Sequence, residues 1–169
     1  YEDPPADASG IQVVVKPDSK RLQLLEPFPA WDGQNIQPVP LLLKAKGKCT
    51  TDHISPAGPW LRFRGHLDNI SDNVFSGVIN AYTGEAGVGL DVLSGETGVE
   101  FSKVARHLKS EGFRWVVVGD ENYGEGSSRE HAAMCPRLLG AGVVITRSFA
   151  RIHETNIKKQ SVLAVSYTN

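Results

Sequence analysis

Residues 114–133 read Arg114-Trp115-Val116-Val117-Val118-Gly119-Asp120-Glu121-Asn122-Tyr123-Gly124-Glu125-Gly126-Ser127-Ser128-Arg129-Glu130-His131-Ala132-Ala133. The stretch through Val118 is short, apolar and β-branched, which predicts a buried strand. From Arg129 to about Leu139 the pattern is that of a helix. Two glycines, two hydroxyls and an arginine therefore fall at a strand-to-helix turn. In α/β sheets such a turn, outside the carboxyl end of a strand, is where ligands bind.

The flanking sequence extends the same alternation. Phe101, Val104, Ala105 and Leu108 recur at helical spacing and predict an amphipathic helix leading into the strand at 114–118. Val143 to Thr146 reads as the next strand, Phe149 to about Lys158 as the next helix, and Val162 to Tyr167 as a further strand. Upstream, Leu41 to Lys46 reads as a strand whose lysines (44, 46 and 48) guard an edge or a solvated face. Thr51 or Asp52 is placed to cap a short helix, Pro59-Trp60-Leu61 to open another, and Asp68 to Ser71 to form a turn or cap. A strand–helix–strand–helix order argues for an α/β domain with parallel pairing in its sheet.

Residues 1–40 differ in texture. Pro4, Pro5 and Gly10 mark an extended start, Ile11 to Val15 has the composition of a short strand, and Leu22 to Leu25 that of an apolar anchor. Pro27, Pro29, Pro38 and Pro40 punctuate the rest, so 1–40 is expected to be an extended connector and 41–169 the compact domain. Within the domain, residues 80–98 hold five glycines and few periodic apolar positions. That segment is expected to be the least ordered loop.

Composition narrows the class. A chain of 169 residues is long enough for one domain with a real core. At 40% hydrophobic and 22% charged residues, with a net charge of −1, it is an ordinary globular sequence. No apolar run approaches a membrane span. The near-neutral balance gives no electrostatic case for nucleic acid or a membrane surface. Cys49 and Cys135 are too far apart for a paired-cysteine metal motif and read as reduced thiols. Cys49 and His53, four apart, supply only two of the three or four ligands that zinc needs.

The turn itself is rich in chemistry. Gly124 and Gly126 permit backbone approaches that a Cβ would block. Ser127 and Glu130 have capping-box spacing, which makes Ser127 the expected N-cap of the following helix. Backbone donors there would stabilise an anionic oxygen, on a ligand or on the serine. Arg129 offers a permanently charged fork suited to a carboxylate. A plain helix cap and a surface ion pair would account for the same residues about as well on chemistry alone.

The wording of three blocks is more specific. Gly119 to Ala133 resembles the active-site loop of the aconitase superfamily. Gly47-Lys48-Cys49-Thr50-Thr51-Asp52-His53-Ile54-Ser55, continuing through Trp60, Phe63-Arg64-Gly65-His66 and Asp68-Asn69-Ile70-Ser71, resembles that family's preceding motif. Thr146-Arg147-Ser148-Phe149-Ala150-Arg151-Ile152-His153-Glu154-Thr155-Asn156 resembles a third. The blocks keep the family's order over roughly residues 40–165, and Arg21 to Phe28 is similar to the segment leading in. The resemblance is to the C-terminal swivelling domain of mitochondrial-type aconitases. It implies a swivelling β/β/α fold, with a mixed sheet and flanking helices.

The resemblance also implies a reaction: citrate is isomerised to isocitrate through cis-aconitate in the mitochondrial matrix. By motif position Ser127 is the base, Asp52 an acidic site residue that caps, pairs or takes part directly, and Arg64, Ser128 and Arg129 the substrate contacts. His66, His131 and His153 are expected to serve structural hydrogen bonds. Arg147 and Arg151 face either the site or a neighbouring domain. The family's [4Fe–4S] cluster needs three cysteines, so it is expected from cluster-bearing domains beyond this chain, which would be inactive alone. The absence of an initiating methionine, and a last segment that stops on a strand, fit a piece of a larger enzyme. Two alternatives stand beside this one: the small subunit of a split hydro-lyase of the isopropylmalate isomerase type, and an RNA-binding relative.

Overall fold

The computed structural model describes residues 2–30, 32–127 and 129–168. Its centre is a four-stranded parallel sheet built from β1 (Leu41–Lys44), β4 (Trp115–Val118), β5 (Ala141–Thr146) and β6 (Leu163–Ser166), in the order β1-β4-β5-β6. Parallel strands need crossovers, and the longer helices provide them: α3 (Phe101–Ser110) before β4, α4 (His131–Leu138) between β4 and β5, and α5 (Arg151–Lys159) between β5 and β6. Between β1 and α3 lie two four-residue helices, α1 (Thr51–Ile54) and α2 (Leu67–Ile70), with 3₁₀ turns at Gly58–Phe63 and Ser71–Asn73. An antiparallel pair, β2 (Val88–Leu90) and β3 (Thr97–Glu100), forms a separate two-stranded sheet. The α/β class is as expected, with parallel and antiparallel pairing divided between two sheets.

The apolar pattern that predicted these elements is the core. Phe101, Val104, Ala105 and Leu108 are all within 1% of complete burial on the inner stripe of α3. Trp115 at the start of β4 is fully buried; its indole Nε1 donates to the Leu139 carbonyl at 2.8 Å, and its ring meets Phe75 edge-on at 5.9 Å. The hydrogen bond settles the one polar atom of a large apolar group. β1 is an edge strand with Lys44 exposed; beyond it Ala45 bridges to Asn80 and Lys46 donates to the Ile79 carbonyl.

Four expectations are corrected. Residues 80–98 are not a loose loop, because they contain β2 and the start of β3. Asp91 organises the turn between them by accepting from the Leu93 and Ser94 amides, and a Cβ on Gly89 would stand 2.5 Å from the Phe101 ring. That glycine lets a strand pass over a core aromatic. Ile11 to Val15 forms no strand, and Ile11, Val13 and Val14 stay exposed, because among the described residues no second strand supplies its ladder bonds. The segment at Leu22 is anchored by polar contacts, not apolar burial: Gln23 donates its N–H to the Gly65 carbonyl and its side chain accepts from Asp68 N–H, while Leu22, Leu24 and Leu25 are exposed. Finally, the cap of α1 is Thr50, one residue earlier than expected. Thr50 Oγ1 accepts from His53 N–H and His53 Nδ1 accepts from Thr50 N–H, a capping box with histidine in the usual Glu position.

Candidate functional site

The site lies at the carboxyl ends of β4 and β5, where the chain after each strand is held against the other. Gly119 N–H donates to the Ile145 carbonyl, Tyr123 N–H to the Ser148 carbonyl and Ala150 N–H to the Tyr123 carbonyl. Thr146 Oγ1 lies within hydrogen-bond distance of the Asp120 and Ser148 carbonyls, at 2.6 and 2.7 Å. On the other flank the turn is stitched to α1: Gly124 N–H donates to the Cys49 carbonyl at 2.7 Å and Thr51 N–H to the Glu125 carbonyl at 2.9 Å. The Tyr123–Gly126 segment is thus clamped between the start of α1 and the start of α5.

Only glycine fits this clamp. Gly124 has φ +81° and a Cβ there would sit 2.0 Å from the His153 ring; Gly126 has φ +123° with Thr51 Oγ1 3.0 Å from the same construction. The contact at Gly124 excludes a side chain, and the positive φ disfavours one at both positions. His153 is 2% exposed, tilted against Tyr123 at 5.5 Å between ring centres, and burial lowers its pKa to about 4. It is a neutral imidazole wall.

A cleft of about 570 Å³ opens over the turn, lined by Thr51, Ser127, Arg129, Arg151, His153 and Asn156 among others. Ser127 is exposed in it. The expected capping role fails, however. α4 begins at His131 with Glu130 at its N-cap in helical geometry (φ −62°, ψ −32°) and no side-chain cap. The first-turn amides of Ala132 and Ala133 are taken by the carbonyls of Arg129 and Glu130. Arg129 is tied back to α1 before the helix can start, which leaves Ser127 in the turn, short of the capping position.

Arg129 is the pivot of the arrangement. Its Nη1 donates to Asp52 Oδ1 at 2.6 Å and to the Ser55 carbonyl at 3.1 Å. Both bonds fall on Nη1, so among the described residues Nε and Nη2 have no protein partner. The Arg129 hydrogen bond outweighs the opposing effect of burial and lowers the Asp52 pKa. A second cavity of about 160 Å³ places Arg64 beside Arg129 and His131, and His131 Nε2 lies 2.9 Å from the Arg64 carbonyl. Of the expected residues, the fold thus brings Arg64, Ser127 and Arg129 onto two hollows that share Arg129, while Asp52 lines neither and is held at the site through its pair with Arg129. Ser128 lies outside the described residues.

The cleft also includes Thr51 and Asn156, which the sequence does not mark as site residues, and Arg151, for which it allows two placements. The matched blocks contained them, but nothing in their spacing distinguished lining from packing.

The cysteines do not suit a cluster. Burial pushes the Cys49 thiol up to about 12 and Cys135 to about 11, and among the described residues no group of three His, Cys, Asp or Glu side chains could hold a metal ion.

A parallel sheet with a glycine-clamped serine–arginine turn at its carboxyl edge defines the class: the chain belongs to the family of the aconitase C-terminal domain, whose model matches residues 39–169. It is 57% identical over its whole length to the mitochondrial aconitate hydratase of Gracilaria gracilis and 56% identical to that of Saccharomyces cerevisiae. In each case it spans 22% of the relative's length. The crystal structure of 3-isopropylmalate dehydratase from Methanocaldococcus jannaschii aligns with 68% of this chain and 52% of its own, at 25% identity and a TM-score of 0.42. No described helix is long and apolar enough to cross a membrane.

Proposed function

We propose that this chain is the swivelling-domain part of an aconitate hydratase that isomerises citrate to isocitrate through cis-aconitate. The observation that carries it is the pair of adjoining hollows, in which Arg129 links the Ser127 cleft to the Arg64 pocket. A tricarboxylate needs separated cationic contacts, and the reaction needs a base at one carbon between them. Ser127, exposed at the turn, takes the proton from carbon and returns it to the adjacent one. Arg64 and the free edge of Arg129 hold carboxylates, with Ser128 as a neighbouring contact. Asp52 orients Arg129 and balances its charge.

The residues present do not fit an iron–sulfur cluster. The [4Fe–4S] group, and with it the removal of hydroxide, is therefore assigned to cluster-bearing domains of the same parent chain. Residues 1–40 are the connector to those domains, and 41–169 the domain that closes over them. We assign the parent to the mitochondrial matrix, a reading supported by relatives named mitochondrial.

The test is lysine substitution in the full-length parent. Arg129→Lys and Arg64→Lys keep the charge but lose the planar fork, so each should raise the KM for citrate by about tenfold or more. Unchanged KM in both would remove the carboxylate-clamp reading.

A further inference from the structure

Among the described residues, two buried side-chain polar atoms lack any hydrogen-bond partner, and they flank the same turn: Thr51 Oγ1 and His153 Nδ1. Both residues are 2% exposed and both line the Ser127 cleft. A buried hydroxyl without a partner is destabilising relative to a satisfied one, so its retention calls for a reason. Thr51 is otherwise fully engaged, since its N–H already holds the Glu125 carbonyl. Its hydroxyl faces Gly126, the residue immediately before Ser127. His153 forms the opposite wall, its ring edge against Gly124.

We propose that Thr51 is a positioning residue for Ser127, its hydroxyl engaging the Gly126–Ser127 turn when substrate fills the cleft. The proposal rests on the reading of Ser127 as the base. The failed cap gives it its place in the mechanism. With Ser127 off the end of α4, the helix does not fix the serine, and the turn needs another tether. A hydroxyl held rigidly by α1 and left unspent is suited to that, because it can donate to a carbonyl or accept from an amide as the turn closes. Thr51 therefore acts through the backbone of Gly126 and touches no reacting atom.

The experiment is a mutant cycle in the full-length parent, with citrate turnover and thermal unfolding as readouts. Thr51→Val keeps shape and burial but removes the hydroxyl. It should lower kcat by about tenfold, leave KM within about twofold and leave the unfolding midpoint unchanged or raised. Thr51→Ser restores the hydroxyl and should recover most of kcat. In a Ser127→Ala background, Thr51→Val should cost nothing further, because the side chain it positions is gone. A wild-type kcat in Thr51→Val overturns the proposal, as do equal losses in the valine and serine variants or the same tenfold loss in both backgrounds. If Ser127→Ala alone keeps full turnover, the reading of Ser127 falls first and takes the proposal with it.

Discussion

The α3 region and the Ser127 turn are built on opposite terms. α3 presents an unbroken apolar stripe to the core, and its polar face is paired: Arg106 holds Asp68 at 2.8 Å and Asp72 at 2.7 Å, and His107 holds Asp91 at 2.6 Å. The turn has an exposed serine, two left-handed glycines and, among the described residues, two buried polar atoms without partners on its walls. It is held by backbone bonds to a helix of only four residues and to the start of α5. Buried apolar area and paired charges are concentrated at α3, while the turn, to which we assign the chemistry, takes its geometry from outside its own segment.

Gly124→Ala is the largest single break in that division. A methyl group there must displace the His153 ring from a backbone that alanine also disfavours. In the full-length parent we expect turnover to fall by about 10²-fold, since a misplacement of about 1 Å at a catalytic group has that effect. Citrate turnover near wild type would mean that the clamp does not set the serine's position. Leu108→Ala makes the complementary cut. Removing a fully buried side chain from α3 should cost about 2–5 kcal/mol in chemical unfolding, while kcat of the folded fraction stays unchanged. A matched loss of kcat would show the two regions to be coupled.

Arg106→Met sharpens the account of the polar face. Its carboxylate partners are about half exposed, so the pairs together should be worth about 1 kcal/mol or less. The smallest effect is one of pH. The hydrogen bond to Asp91 is the main cause raising the His107 pKa above its ordinary 6.5, and the same bond lowers that of Asp91 from 3.8. For the raised histidine, the added stability is complete below 6.5 and disappears as pH climbs through the folded-state value. For the lowered aspartate it is present above 3.8 and is lost as pH falls through the folded-state value. The wild-type advantage over His107→Asn in unfolding midpoint should therefore be larger near pH 6 than near pH 8, and a constant difference would remove the charged pair.

Much of the fold was legible because the deciding signals were local. The stripe of α3, the Trp115–Val118 run and the β5 and α5 patterns each needed only neighbouring residues to read. The β2–β3 pair escaped because its glycines looked like loop punctuation, whereas Gly89 is shaped by Phe101, a contact that periodicity does not display. The spacing from Ser127 to Glu130 predicts a cap that the structure does not form. That spacing describes what a helix start tolerates, and the tether from Arg129 to Asp52 and Ser55 overrides it. The roles of Thr51 and His153 depend on distant contacts, Thr51 with Gly126 75 positions on and His153 with Gly124 29 positions back, by their numbers. Such roles become visible only when burial and hydrogen-bond satisfaction are known atom by atom.

In the proposed mechanism Ser127 moves the proton while other groups hold the substrate. Ser127→Ala in the full-length parent separates the two, with kcat for citrate and the equilibrium Kd of citrate measured on the same preparation. We predict kcat lower by about 10²–10⁴-fold, the range for loss of a positioned acid–base group, with Kd within a few-fold of wild type. A Kd weakened in proportion to the loss of kcat/KM, with turnover of bound citrate unchanged, would contradict the account and make Ser127 a binding or structural residue.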